Sequence, residues 1–150
     1  AWDEGGVSGY AIAASTDGYV YFHENGVSDG STNPPSAISS YIESSAIDIG
    51  DGDQFMFVSR ILPDLTFRNS TGNPVATFSV SARNFPGANF DQTDSGTAVR
   101  TATAPVEQFT DQLFFRLRGR SMSLKVESSD VNTEWRLGTP RADMRTDGRR

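Results

Sequence analysis

The sequence contains no cysteine. A disulfide framework and a thiolate-ligated metal site are therefore both excluded. There is one histidine, His23, so any Ser-His-Asp triad would have to be built on that residue. No apolar run approaches the ~18 residues that a membrane-spanning helix needs, and the start lacks the order of a secretory signal. Phosphate-binding P-loops and a G-x-G-x-x-G turn are missing as well. Basic residues are absent from the first 59 positions, which hold nine acids, whereas residues 60–150 hold ten acids and thirteen bases. The two parts carry −9 and +3, giving the net −6. A surface of the first kind repels phosphate backbones rather than gripping them.

The pattern that is present is alternation with a period of two, and almost no helical periodicity accompanies it. Residues 10–15, "YAIAAS", and 19–24, "YVYFHE", joined by Asp17-Gly18, read as a hairpin that closes at Asn25-Gly26. Residues 27–37, "VSDGSTNPPSA", have the composition of a linker or long loop. Then come "SSYIESSAIDI" (39–49), the turn "GDGD" (50–53) and "QFMFVSRIL" (54–62), which Pro63 ends. "NSTGNP" (69–74) is another turn cluster. In 75–85, Phe78, Val80 and Ala82 fall on one face, and 86–110 reads as loop. In 112–127, Leu113, Phe115 and Leu117 point one way and Phe114, Arg116 and Arg118 the other. After Gly119, the pattern turns Met122, Leu124 and Val126 inward and Ser121, Ser123, Lys125 and Glu127 outward. Trp135 and Leu137 are expected inward, and in "RADMR" Ala142 and Met144 share one face of a half-buried final strand. The expectation is an all-β fold, an antiparallel β-sandwich over residues 34–150. Residues 1–33 form a hairpin segment that can close a preceding β domain.

Several residues have the chemistry of a site, and each also has a plainer role. His23 falls on the strand face of Tyr19 and Tyr21, beside a turn, which is the place of an ordinary strand side chain. Asp48, Asp51 and Asp53 could offer hard oxygens to a divalent cation, but their spacing is not that of an EF-hand, and Asp and Gly are also what a turn requires. Asn69-Ser70-Thr71 matches a glycosylation sequon and equally a turn. Five arginines fall within residues 135–150, yet Asp143 and Asp147 interrupt them, which favours cross-strand ion pairs over a nucleic-acid arm. Tyr19, Tyr21, Tyr41 and Trp135 could stack on sugar rings or simply pack. No catalytic, cofactor or metal residue is assigned.

Three stretches resemble a known family. "STDGYVYFHENGVSDGS" (15–31), "SYIESSAIDIGDGDQFMFVSRILPD" (40–64) and "RLRGRSMSLKVESSDVNTEWRLGTPRADMRTDGRR" (116–150) occur in the order seen in the tail-nozzle, or tail tubular B-like, and packaged-DNA-stabilisation proteins of short-tailed bacteriophages. The first resembles the end of that family's repetitive β domain and the last its C-terminus. Family members are much longer, so the resemblance implies a C-terminal piece of such a protein. It further implies a non-enzymatic virion component assembled in the host cytoplasm, a ring that is expected to be hexameric. This ring would contact adaptor and fibre or spike proteins, need no cofactor and touch no membrane. DNA would pass through its channel without specific binding. The competing expectation is a β-sandwich that binds carbohydrate or a receptor, and an enzyme using scattered carboxylates ranks behind both.

Overall fold

The structure, a computed structural model, describes residues 2–7, 9–85 and 100–149, and all regular elements there are strands. In chain order they are β1 (Trp2–Val7), β2 (Tyr10–Ala14), β3 (Val20–Phe22), β4 (Ser40–Glu43), β5 (Ile47–Asp48), β6 (Met56–Leu62) and β7 (Leu65–Phe67). They continue with β8 (Ala76–Arg83), β9 (Arg100–Val106), β10 (Leu113–Gly119), β11 (Ser121–Ser128), β12 (Trp135–Leu137) and β13 (Arg141–Thr146). Every pairing is antiparallel, so the all-β expectation holds.

Two sheets build the sandwich. One runs β10-β6-β13; the other runs β4-β11-β8-β9, with β5 beside β4 on the same edge of β11. Alternation dictates what lies between them, because side chains at i and i+2 share a face. From the second sheet come Ala76, Phe78, Val80 and Ala82 of β8 with Met122 and Val126 of β11. From the first come Met56, Val58 and Ile61 of β6 with Leu113, Phe115 and Leu117 of β10. All are buried, and Phe78 and Met56 are fully so. The small pair β7 and β12 covers one flank, where Leu65, Phe67, Trp135 and Leu137 pack against the core.

The hairpin expected at 10–24 forms as β2 and β3, with Gly18 in the left-handed region that the turn requires. The sequence reading did not place β1, which pairs β2 and makes this a three-stranded sheet. Residues 27–37 form the long loop, and it is closed on itself. Asp29 and Ser36 exchange both backbone hydrogen bonds at 2.9 and 3.0 Å. The Ser28 hydroxyl donates to the Asn132 side-chain oxygen at 3.0 Å and accepts from the Asn132 amide at 2.7 Å, tying the loop to the turn before β12.

Three details correct the sequence reading. Residues 100–106 are a strand, not loop; residues 107–110 of that stretch are a turn as expected, and 86–99 lie outside the described residues. In β9 the inward residues are Ala102, Ala104 and Val106, opposite Val80, Phe78 and Ala76. Their small size hides the alternation, and Pro105 is tolerated because β9 is an edge strand. Ser121 and Ser123 are buried, at 1% and 4% exposure, although their alternation points outward. Ser121 lies between Asp48 and Arg83 in register, and a short side chain in mid-sheet is covered by longer neighbours. Finally, β13 is not half-buried. Ala142 and Met144 face inward beside Ile61 and Val58, yet Met144 stays 42% exposed. The two sheets part along this edge and leave an apolar groove of about 320 Å³.

Candidate functional site

His23 directly follows β3, and its amide donates to the Ala11 carbonyl at 2.7 Å. Beside it, Tyr21, Phe22, Glu24, Asp29 and Ser31 line an open groove of about 770 Å³ between β3 and the 25–38 loop. Gly26-Val27-Ser28-Asp29-Gly30 has the letters of a nucleophile elbow, but Ser28 lies in the loop rather than at a strand-to-helix turn, and its hydroxyl is engaged by Asn132. The local chemistry is that of a braced turn. Asp17 accepts hydrogen bonds from the Tyr19 amide (3.0 Å) and the Tyr21 hydroxyl (2.8 Å), which together hold its carboxyl below the ordinary range. The same contact with Asp17 pushes the Tyr21 phenol above its usual range. Bonds from the Ser31 side chain and backbone likewise lower Asp29. Of the four aromatics singled out in the sequence, Tyr19 and Tyr41 are exposed, at 68% and 67%. Tyr21 is half-buried, and Trp135 packs on the core with its indole N–H donating to the Ser40 hydroxyl at 2.9 Å.

Asp48, Asp51 and Asp53 do not converge as a cation site, and among the described residues no three metal-capable side chains form one. Their turn is instead fastened to the C-terminal segment. Arg120 donates to the carbonyls of Asp53 and Arg149, both at 3.0 Å, and the Asp53 carboxylate pairs with Arg149 at 3.4 Å. Gly50 and Gly52 supply the positive φ values that let the turn close. Asn69 also has a positive φ, and its side-chain amide donates to Glu134 at 2.9 Å. The sequon is thus part of a turn that bridges to β12.

In the structure, Asp147–Arg149 are clasped. The Asp147 amide donates to the Phe55 carbonyl and the Phe55 amide to the Gly148 carbonyl, each at 2.7 Å. Arg118 closes the clasp with a 2.5 Å ion pair to the Asp147 carboxylate and a 3.0 Å bond to the Asp147 carbonyl. Arg118 and Arg120 both lie over the buried Phe55 ring, at 3.9 and 4.8 Å from its centroid. Nothing in the sequence marks Phe55 as the anchor, because its partners come from two segments far from it in the chain. Replacing Arg118 with Met keeps the stem and removes the ion pair, the hydrogen bond and the cation–π contact. With both partners partly solvated, the expected loss is about 1–2 kcal/mol, read from urea denaturation midpoints.

The expected cross-strand pairing of arginine with carboxylate is present on β13, where Asp143 lies opposite Arg60 and the two meet at 2.5 Å. Arg145 lies over the Phe57 ring at 5.0 Å. On the outer face of β11, Lys125 pairs with Glu127 at 2.6 Å, which raises its ammonium pKa. Arg118, Arg120, Arg145 and Arg149 are thus engaged by groups of the chain itself, while Arg116, Arg136 and Arg141 are exposed. Among the described residues, no helix is long and apolar enough to cross a membrane. Compared with family models and curated proteins, the sequence matches none.

Proposed function

We propose that this chain is a virion structural protein, part of the tail nozzle through which a short-tailed bacteriophage retains and ejects its genome. It acts by assembling with copies of itself and with other tail proteins, without turnover. The resemblance of 15–31, 40–64 and 116–150 motivates the reading, and one observation carries it. All seven described acids among residues 9–59 are exposed, while Arg60, Arg118, Arg120 and Arg149 bind groups of the chain itself. Residues 9–59, with their acids exposed and no Lys or Arg, offer DNA repulsion, which suits the lining of a channel that DNA must slide along. Changing Glu24, Glu43 and Asp51 to Lys should slow genome ejection, and added salt should restore it, since each new phosphate contact adds ~0.9 to the salt slope. Unchanged ejection and unchanged salt dependence in such particles would count against a luminal role.

A second reading rests on the open groove beside β3. Exposed Phe22, half-buried Tyr21 and the carboxylates of Glu24 and Asp29 combine ring faces with polar groups, as a carbohydrate site does. A monomeric chain that selects one glycan from an array, and loses it on Tyr21→Ala, would favour this reading over assembly.

A further inference from the structure

The open edge of the sandwich has a counterpart on the same molecule. Between β13 and the β4–β5 edge, the groove is lined by Ile47, Val58, Ile61, Met122, Leu124 and Met144, and among the described residues Arg141 is the one charged side chain lining it. Ile47 and Met144 are 40% and 42% exposed, so a sizeable apolar surface there faces water. On the opposite side, between β9 and β10, lies the turn "EQFTD" (107–111). Its Phe109 is 88% exposed, the most exposed large apolar residue among those described. The turn is braced: the Thr110 amide donates to the Glu107 carbonyl at 3.1 Å, and the Glu107 amide donates to the Thr110 hydroxyl at 3.0 Å. A ring held out of contact by a rigid turn is a preorganised anchor, which lowers the ordering cost of binding.

We infer that the Phe109 turn of one copy docks in the β13/β4–β5 groove of the next. Size agrees: a phenyl ring occupies an apolar cavity of about 150 Å³, and the groove measures about 320 Å³. Charge agrees as well. Glu107 and Asp111 flank Phe109, Arg141 lies at the groove, and none of the three has an ion-pair partner among the described residues. Because knob and groove lie on opposite edges, the contact is head-to-tail. Such contacts generate a ring where the rotation closes and a filament where it does not. The inference rests on the self-assembly part of the proposed function and names the surfaces responsible.

The test uses Phe109→Ser, which removes the knob, and Met144→Asp or Arg141→Glu, which spoil the groove, with melting curves confirming that each is folded. Wild-type chain should show concentration-dependent oligomers in sedimentation and light scattering. Each single variant should weaken association at least tenfold. A mixture of knob-less and groove-less chains retains one intact interface per pair, so it should form a dimer and stop there. Oligomers that survive Phe109→Ser or the groove variants, or a mixture that stays monomeric, overturn this contact and leave the ring reading standing. A wild-type chain that is monomeric at every concentration overturns both. Since Phe109 is so exposed, its substitution remains a valid test even where a groove variant fails to fold.

Discussion

Removing residues 135–150 abolishes cooperative folding. The deletion takes away β12 and β13, and with β13 goes one of the two ladders along Met56–Leu62, the central strand of its sheet. It also removes Trp135 and Leu137 from the core, each contributing about 1.5–3 kcal/mol by burial. The two backbone bonds between Phe55 and Asp147–Gly148 disappear, and Arg118 keeps its place over the Phe55 ring without its carboxylate. With roughly 1 kcal/mol for each lost hydrogen bond, the sum reaches the ~5–15 kcal/mol that a domain has in total. Removing Arg149 and Arg150 alone is different. Among described contacts it costs the bond from Arg120 to the Arg149 carbonyl and an exposed 3.4 Å ion pair, so about 1 kcal/mol is expected. Circular dichroism melting separates the two cases. A full-length-like transition after the larger deletion would contradict the assignment of β12 and β13.

Phe78→Ala is expected to cost about 3–5 kcal/mol. Phe78 is fully buried and lies in register between Val126 of β11 and Ala104 of β9. Its backbone is fixed on both sides, so the sheet cannot collapse into the void, and the loss combines transfer with cavity cost. Phe114→Ala is the control. It removes the same atoms from a residue 72% exposed on the outer face of β10, where changes stay within about 0.5 kcal/mol. Equal shifts in the urea midpoint for the two variants would contradict the packing of one sheet on the other.

Where large apolar residues alternate with polar ones, the sequence was sufficient. Phe78/Val80/Ala82, Leu113/Phe115/Leu117 and Met122/Val126 all face the core as the period of two requires. Turn chemistry was equally legible at Gly18, Gly50 and Gly72, each with a positive φ. The alternation misled at β13, since it reports which face a residue is on and not whether another layer covers that face. Ala142 and Met144 are on the inward face, and the opposing sheet does not reach them. β9 was invisible because "TATA" carries too little apolar bulk to register as a pattern. The clasp around Phe55 and the groove around Met144 were illegible for a different reason. Each joins residues far apart in the chain, and their meeting depends on the order in which strands are laid into sheets. Phe109, by contrast, left a signal in the sequence: a lone aromatic between Glu107 and Asp111 in a segment with no alternation.

The central claim is that this chain works by being built into a phage tail. Immunolabelling of particles released from cells that express the gene tests it most directly, with antibody against the chain imaged by electron microscopy. The account predicts label confined to the tail, with a copy number matching one closed ring. Particles that carry no label, with the chain recovered as a free monomer, would contradict it.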